Sequence, residues 1–189
     1  NMPYKLSKIY NDEVNFEAIP VFKIIDYPLE ERDYKPYAQA RVAMGENHLH
    51  IQLLSFEVTP LKESAIEFVM NFFPDEYNKS MYVAIKGDKT LCYGACNDGN
   101  IEQFPFDIRA HFYEGEDLQG IYWGADLRIS HMSIEEFYNK DNIGSDFIGN
   151  IYKTCNVSPN EHYGSLFPVN WQSGYLSQSN FGKFTIISY

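Results

Sequence analysis

The chain has 189 residues, a length that fits one domain able to bury a core without staples. Its 15 basic residues against 26 acidic ones leave a formal net charge of -11, which repels DNA, RNA and anionic lipid and argues against partners of those kinds, whereas an uncharged sugar is unaffected. Aromatic side chains are abundant, with 15 Tyr, 14 Phe and 2 Trp, and they favour pleated, half-buried strands over helices.

No apolar run approaches the length of a membrane-crossing helix, so no membrane insertion is expected. Cys92, Cys96 and Cys155 are odd in number, and the spacing of the first two matches neither a redox pair nor half of a zinc site. They read as buried or half-buried thiols.

Ala18 to Ile25 is the one strand expected early in the chain, with Pro20 marking an edge or a bulged start. Tyr37 to Met44 and His48 to Val58 flank Gly45-Glu46-Asn47 and read as a hairpin. In its second arm Leu49, Ile51 and Leu53 share a face before Leu54, Phe56 and Val58 take over, a phase change that predicts a β-bulge near Leu53-Leu54. Further strands are expected over Ser64 to Phe73, Met81 to Lys86 and Thr90 to Tyr93. Asp107 to Tyr113 puts Arg109, His111 and Tyr113 opposite Ile108, Ala110 and Phe112, with a turn at Gly115-Glu116-Asp117. Ile121 to Ser130 alternates most cleanly: Ile121, Trp123, Ala125, Leu127 and Ile129 face one way, Tyr122, Gly124, Asp126, Arg128 and Ser130 the other.

Ser133 with Glu136 three residues on forms a capping box, so Ser133 to Tyr138 is expected to be a short helical turn. Asp146 to Lys153 and Phe181 to Ile187 complete the strands. Between them Thr154 to Asn180 is a long Pro/Gly/Asn/Ser-rich excursion, the kind of segment that carries function or forms a lid. No composition shift marks a linker. The expectation is one all-β domain over residues 1–189, a two-sheet antiparallel β-sandwich (immunoglobulin-like or jelly-roll-like).

Nucleotide-cradling, serine-hydrolase and zincin motifs are all missing. His48 and His50 share one face of a strand, as two ligands to one metal would, with Glu57 downstream as a carboxylate; a solvated strand face is the rival reading. Asp126, Glu135 and Glu136 are the most structured acids for a glycosidase pair, against a charged surface and a helix cap. Asp126 beside Arg128 reads as an ion pair or a ligand-orienting pair. Trp123 shares its phase with apolar neighbours and reads as core. Trp171, in the polar stretch Asn170-Trp171-Gln172, could offer an indole to the apolar face of a pyranose while nearby amides take its hydroxyls; anchoring of the loop is the alternative.

Gly149-Asn150-Ile151-Tyr152-Lys153, then Cys155, Pro159, His162-Tyr163, Ser165, Pro168-Val169 and finally Phe181-Gly182-Lys183 resemble the C-terminal signature of family 9 carbohydrate-binding modules and their stand-alone relatives. The sequence departs from that pattern at Leu166, where relatives carry Trp, at Glu161, where they carry Pro, and at Thr154-Cys155-Asn156-Val157. The resemblance implies a β-sandwich that binds the reducing ends of glycans through tryptophans, with structural calcium nearby, an extracellular or cell-surface setting (a cytoplasmic one is the alternative) and a glycoside hydrolase partner. The expected activity is non-catalytic binding of an oligo- or polysaccharide. Trp171 supplies the platform, aided by Trp123 or Phe167, and Arg109, Asn150, His162, Asn170 and Gln172 supply hydrogen bonds. A small metal-dependent enzyme or glycosidase and a protein-binding adhesion module are the alternatives.

Overall fold

The alternation read from the sequence becomes strand after strand in the computed structural model, which describes residues 2–33 and 36–187. In chain order these are β1 (Tyr4–Lys8), β2 (Phe22–Ile24), β3 (Ala38–Met44), β4 (His48–Ser55), β5 (Ala65–Asn71), β6 (Lys79–Lys86), β7 (Leu91–Asn97), β8 (Asn100–Glu102), β9 (Ile108–Asp117), β10 (Gly120–Ser130), β11 (Asp146–Cys155), β12 (His162–Ser165) and β13 (Gly182–Ile187), with one helix, α1 (His131–Tyr138). The protein is mostly β, as expected, but the strands are not two separate antiparallel sheets. They follow one hydrogen-bonded path, β8-β7-β6-β5-β11-β13-β1-β3-β4-β10-β9, with β12 on β11 and β2 on β3. At its centre β1 pairs in parallel with both β13 and β3, joining two antiparallel arms.

Each arm is apolar on the face it turns to the other. Leu49, Ile51 and Leu53 of β4 and Trp123, Leu127 and Ile129 of β10 meet Ile66, Phe68 and Met70 of β5, Val83 of β6 and Ile151 of β11 in one buried cluster. The period of two in each strand is what makes this possible, because it delivers every second side chain to the same side. A smaller cluster covers the opposite side of the β5–β6–β11 arm, where Val69, Tyr82 and Tyr152 pack under Leu176, Trp171 and Tyr175 from the long C-terminal loop.

Several local expectations change. β4 runs in unbroken register against both neighbours, so the bulge is absent. Leu54 simply faces outward, and its Cδ2 stands 2.6 Å from where a Cβ on Gly124 would be; the missing side chain of its cross-strand neighbour gives it cover. The helix starts at His131 rather than Ser133, and its cap lies three residues before the one the capping box implies: Ser130, not Ser133, accepts from the Met132 amide, and Ser133 Oγ donates to the Ser130 carbonyl. Asp117–Gly120, rather than Gly115-Glu116-Asp117, turns β9 into β10. Of the Ala18 to Ile25 stretch only Phe22–Ile24 is a strand, β2, and Ala18 instead ends a 3-10 turn that begins at Phe16.

Candidate functional site

The side of the β3–β4–β10–β9 arm that faces away from the core is built from the alternate residues. Register sets them in rows across the strands: Gln39, Leu54, Gly124 and Tyr113; then Arg41, Gln52, Asp126 and His111; then Ala43, His50, Arg128 and Arg109. In the middle row Arg41, Gln52 and Asp126 are hydrogen-bonded in series. Arg41 Nη1 donates to Gln52 Oε1 at 2.9 Å and Gln52 Nε2 donates to Asp126 Oδ1 at 3.2 Å. Tyr113 also donates to that oxygen, at 2.8 Å. Burial and the Asp126 carboxylate push the Tyr113 hydroxyl up, so it remains a donor at any physiological pH. Oδ2 of Asp126 is directed to no partner among the described residues.

Rings run diagonally from these rows toward the open end of the arm. His111 stacks on Tyr113 with centroids 5.9 Å apart, Tyr113 meets Tyr122 edge-on at 6.3 Å, and Tyr122 meets Phe56 at 5.8 Å. Gly115 allows this: a Cβ there would stand 2.4 Å from the Tyr122 hydroxyl, so the phenol lies flat across the strand beside it.

One wall of the face comes from the segment between β1 and β2. Asp12 accepts from His50 Nε2 at 3.0 Å, stands 3.3 Å from His48 Nδ1 and accepts the Asn47 amide at 3.2 Å, while Arg41 Nε donates to the Ile19 carbonyl at 3.1 Å. Burial works against ionisation of Asp12, but the two imidazoles and the amide outweigh it and hold the carboxyl down at about 2. Between this wall and β9–β10 lies a hollow of about 380 Å³ bordered by Phe16, His50, Arg109, His111, Asp126 and Arg128. That volume is within the range of small-ligand clefts. A larger cleft of about 850 Å³ at the strand ends shares His48 with a recess beside the hollow, but imidazoles are its only rings.

The residues singled out from sequence do not converge. Arg109 is exposed on the face just described. Asn170, Trp171 and Gln172 lie beyond the core, over the β5–β6–β11 arm. Trp171 is half-buried there, with Tyr175 at 5.3 Å, Tyr163 at 5.5 Å and Tyr152 at 6.0 Å around its ring. Its Nε1 is buried with no hydrogen-bond partner among the described residues. The indole packs the loop down rather than standing free in solvent. Asn170 Oδ1 accepts the Gln172 amide, and the Asn170 amide donates to Asn180 Oδ1, so the loop binds itself.

The other candidates point inward. Asn150 is fully buried and spans the loop, donating to the Asn180 and Phe167 carbonyls and accepting the Ile151 and Phe167 amides. Phe167 packs edge-on against Tyr4 and Phe184, over Gly182, where a Cβ would stand 2.2 Å from its ring. Trp123 is core, as its phase implied, and its Nε1 donates to Glu57 Oε1 at 3.1 Å. Glu57 therefore points away from His48 and His50, into a buried network. Ser55, Ser64 and Lys153 also donate to it, and Lys153 Nζ in turn meets Ser64 Oγ at 2.7 Å and His162 Nε2 at 2.6 Å. His162 Nδ1 donates to the Asn160 carbonyl, which leaves Nε2 as the acceptor.

Asp126 and Arg128 are not an ion pair, since Asp126 is held by Tyr113 and Gln52 and Arg128 Nη2 meets His48 Nδ1 at 3.3 Å. Glu135 caps the Asn142 amide. Among the described residues no group of three or more His, Cys, Asp or Glu side chains is arranged to hold an ion. No helix among them is long and apolar enough to cross a membrane. Asp12, Gln52, Tyr113, Tyr122 and Phe56 belong to this candidate face without having been expected there from the sequence. The signal was available: β9 and β10 each displayed a polar face, and closing them into a hairpin brings those faces side by side.

No family model matches the sequence, and no curated protein does. Solved structures do match, over almost the whole chain. A Bacteroides uniformis protein provisionally assigned as carbohydrate-binding shares 15% identity at a TM-score of 0.74, over 98% of this chain and 100% of that one. A family 9 carbohydrate-binding module of Caldicellulosiruptor kristjanssonii, in complex with cellotriose, shares 11% identity at a TM-score of 0.64, over 100% of this chain and 95% of that one. The complex of such a module with glucose, from the same organism, gives 12% and 0.64, with 100% and 97% covered. The fold of this chain is thus that of the family 9 carbohydrate-binding modules.

Proposed function

We propose that the chain binds oligosaccharide without catalysis, on the outer face of the β3–β4–β10–β9 arm. The observation that carries this reading is a run of four consecutive rings, beginning at His111 on the edge of a sugar-sized hollow, beside a hydrogen-bonded polar row whose Asp126 borders the same hollow. Carbohydrates present an apolar ring face and a belt of hydroxyls, and such a surface meets both. Tyr113 and Tyr122 offer π-faces and edges to the C–H side of a pyranose. The Asp126 carboxylate, through Oδ2, accepts from hydroxyls, and the Arg109 guanidinium donates to them. Each such bond replaces one to water, so the net gain is small and weak to moderate affinity is expected.

Neighbours of the same fold have been crystallised with glucose and cellotriose, which supports saccharide as the ligand class. Fold alone does not assign function; the chemistry of the face supports it. A glycoside hydrolase partner, which the family resemblance implies, would be brought to its substrate by this surface. Calorimetric titration of the protein and of Tyr122→Ala and Asp126→Ala with a panel of oligosaccharides tests the reading. Each substitution is expected to weaken binding roughly tenfold, the loss of one stacking or charge-assisted contact. Binding unchanged in both variants would refute it.

A further inference from the structure

We infer that the saccharide carries an acidic group, a uronic acid carboxylate or a sulfate ester, seated between Arg109 and Arg128. This rests on the carbohydrate reading above and narrows its ligand. The two arginines are direct cross-strand partners on the outward face of β9 and β10. Like charges directly opposite each other in a sheet are destabilising. Carboxylates are plentiful in a chain with a formal net charge of -11, yet no ion pair among the described residues involves either guanidinium.

The nearby acids are engaged elsewhere or only border the site. Asp12 is turned to His48 and His50, and Asp126 to Tyr113 and Gln52. Asp107 lines a recess of about 150 Å³ together with His48, Arg109 and Arg128. Both arginines also border the 380 Å³ hollow, so this recess opens beside the space proposed for the sugar ring. A guanidinium is a planar fork of donors that matches the two oxygens of a carboxylate or sulfate, and two forks side by side favour an oxyanion over a neutral hydroxyl. The net negative charge of the whole chain acts the other way on polyanions. The ligand that satisfies both is a largely neutral glycan bearing an isolated acidic residue.

An array of neutral, uronate-bearing and sulfated oligosaccharides is followed by calorimetry on matched pairs: a xylo-oligosaccharide with one glucuronic acid branch against its carboxyl-reduced form, and a monosulfated disaccharide against its desulfated parent. The acidic member of at least one pair is expected to bind roughly tenfold more tightly at low salt. The pair that discriminates identifies the carboxylate or the sulfate as the source. The ratio should fall toward one in the Arg109→Gln/Arg128→Gln double variant and as salt is raised, and be partly kept in Arg109→Lys. Equal affinities within both pairs, or discrimination that survives in the double variant, would overturn the inference while leaving the saccharide reading intact. Failure to bind any saccharide, neutral or acidic, would overturn both.

Discussion

Lys153→Met removes, among the described residues, the one cation of the buried network that links Ser55 of β4, Glu57, Ser64, Trp123 of β10, Lys153 of β11 and His162 of β12. Lys153 is fully buried, and its Nζ meets three acceptors, Glu57, Ser64 and His162, which is the coordination of an ammonium. Burial pulls the lysine down from its ordinary value; on the carboxylate, the opposing lysine charge and the Ser55 and Ser64 hydroxyls outweigh burial and hold Glu57 down. Methionine replaces the stem but leaves the Glu57 carboxyl buried without a counter-charge and takes the Lys153 donor away from His162 Nε2. Breaking a buried pair in this way costs about 3–5 kcal/mol. For a chain of this size that lowers Tm by roughly 6–20 °C. Urea unfolding followed by tryptophan fluorescence reads the loss directly, because Trp123 itself donates to Glu57. Glu57→Gln/Lys153→Met, which removes both charges, is expected to be less destabilised than the single variant. A loss under about 1 kcal/mol for Lys153→Met, or a double variant worse than the single, would refute the reasoning.

Acid should weaken the same network through His162. Burial, reinforced by the Lys153 ammonium, holds its imidazole down at about 4, from an ordinary value of 6.5. Between those values the unfolded chain binds a proton that the folded chain does not, so stability present above pH 6.5 is lost as pH falls toward 4, by roughly 3 kcal/mol in total. Urea midpoints measured across that window check it, and His162→Gln should flatten the slope. Trp171→Ala, which empties the centre of the Tyr152–Tyr163–Tyr175 cluster, is expected to destabilise by roughly 2–3 kcal/mol, below the range for a fully buried aromatic because the ring is half-exposed. Thermal melting tests the loss, and saccharide affinity measured on the folded fraction should not follow it.

Alternation was legible wherever one strand face was uniformly apolar. Trp123, Ala125, Leu127 and Ile129 are buried as the alternation of Ile121 to Ser130 implied, while Ile121 and, on β9, Ala110 stay exposed near the sheet edge, and Gly45-Glu46-Asn47 marked the β3–β4 hairpin. β1 gave no such signal, since Tyr4-Lys5-Leu6-Ser7-Lys8 has one strongly apolar residue; its place at the centre depends on parallel partners at the far end of the chain and in β3. The apparent phase slip at Leu54 misled because the cover for that side chain comes from Gly124, a residue on another strand.

The site was harder to read for a related reason. Polar side chains such as Asn150 and His162 look available in a sequence, and only the fold shows that backbone carbonyls and a lysine already satisfy them. Trp171 looked solitary because the tyrosines around it come from β11, β12 and its own loop. Asp12, conversely, reads as one acid among many until it reaches across to His48 and His50.

Amide chemical-shift mapping with a bound oligosaccharide tests most directly where the ligand sits. The largest changes are expected on β4, β9 and β10, around Gln52, Arg109, His111, Tyr113, Tyr122 and Asp126, with residues 166–181 little affected. Shifts confined to the loop around Trp171, with the β9–β10 face silent, would contradict the account.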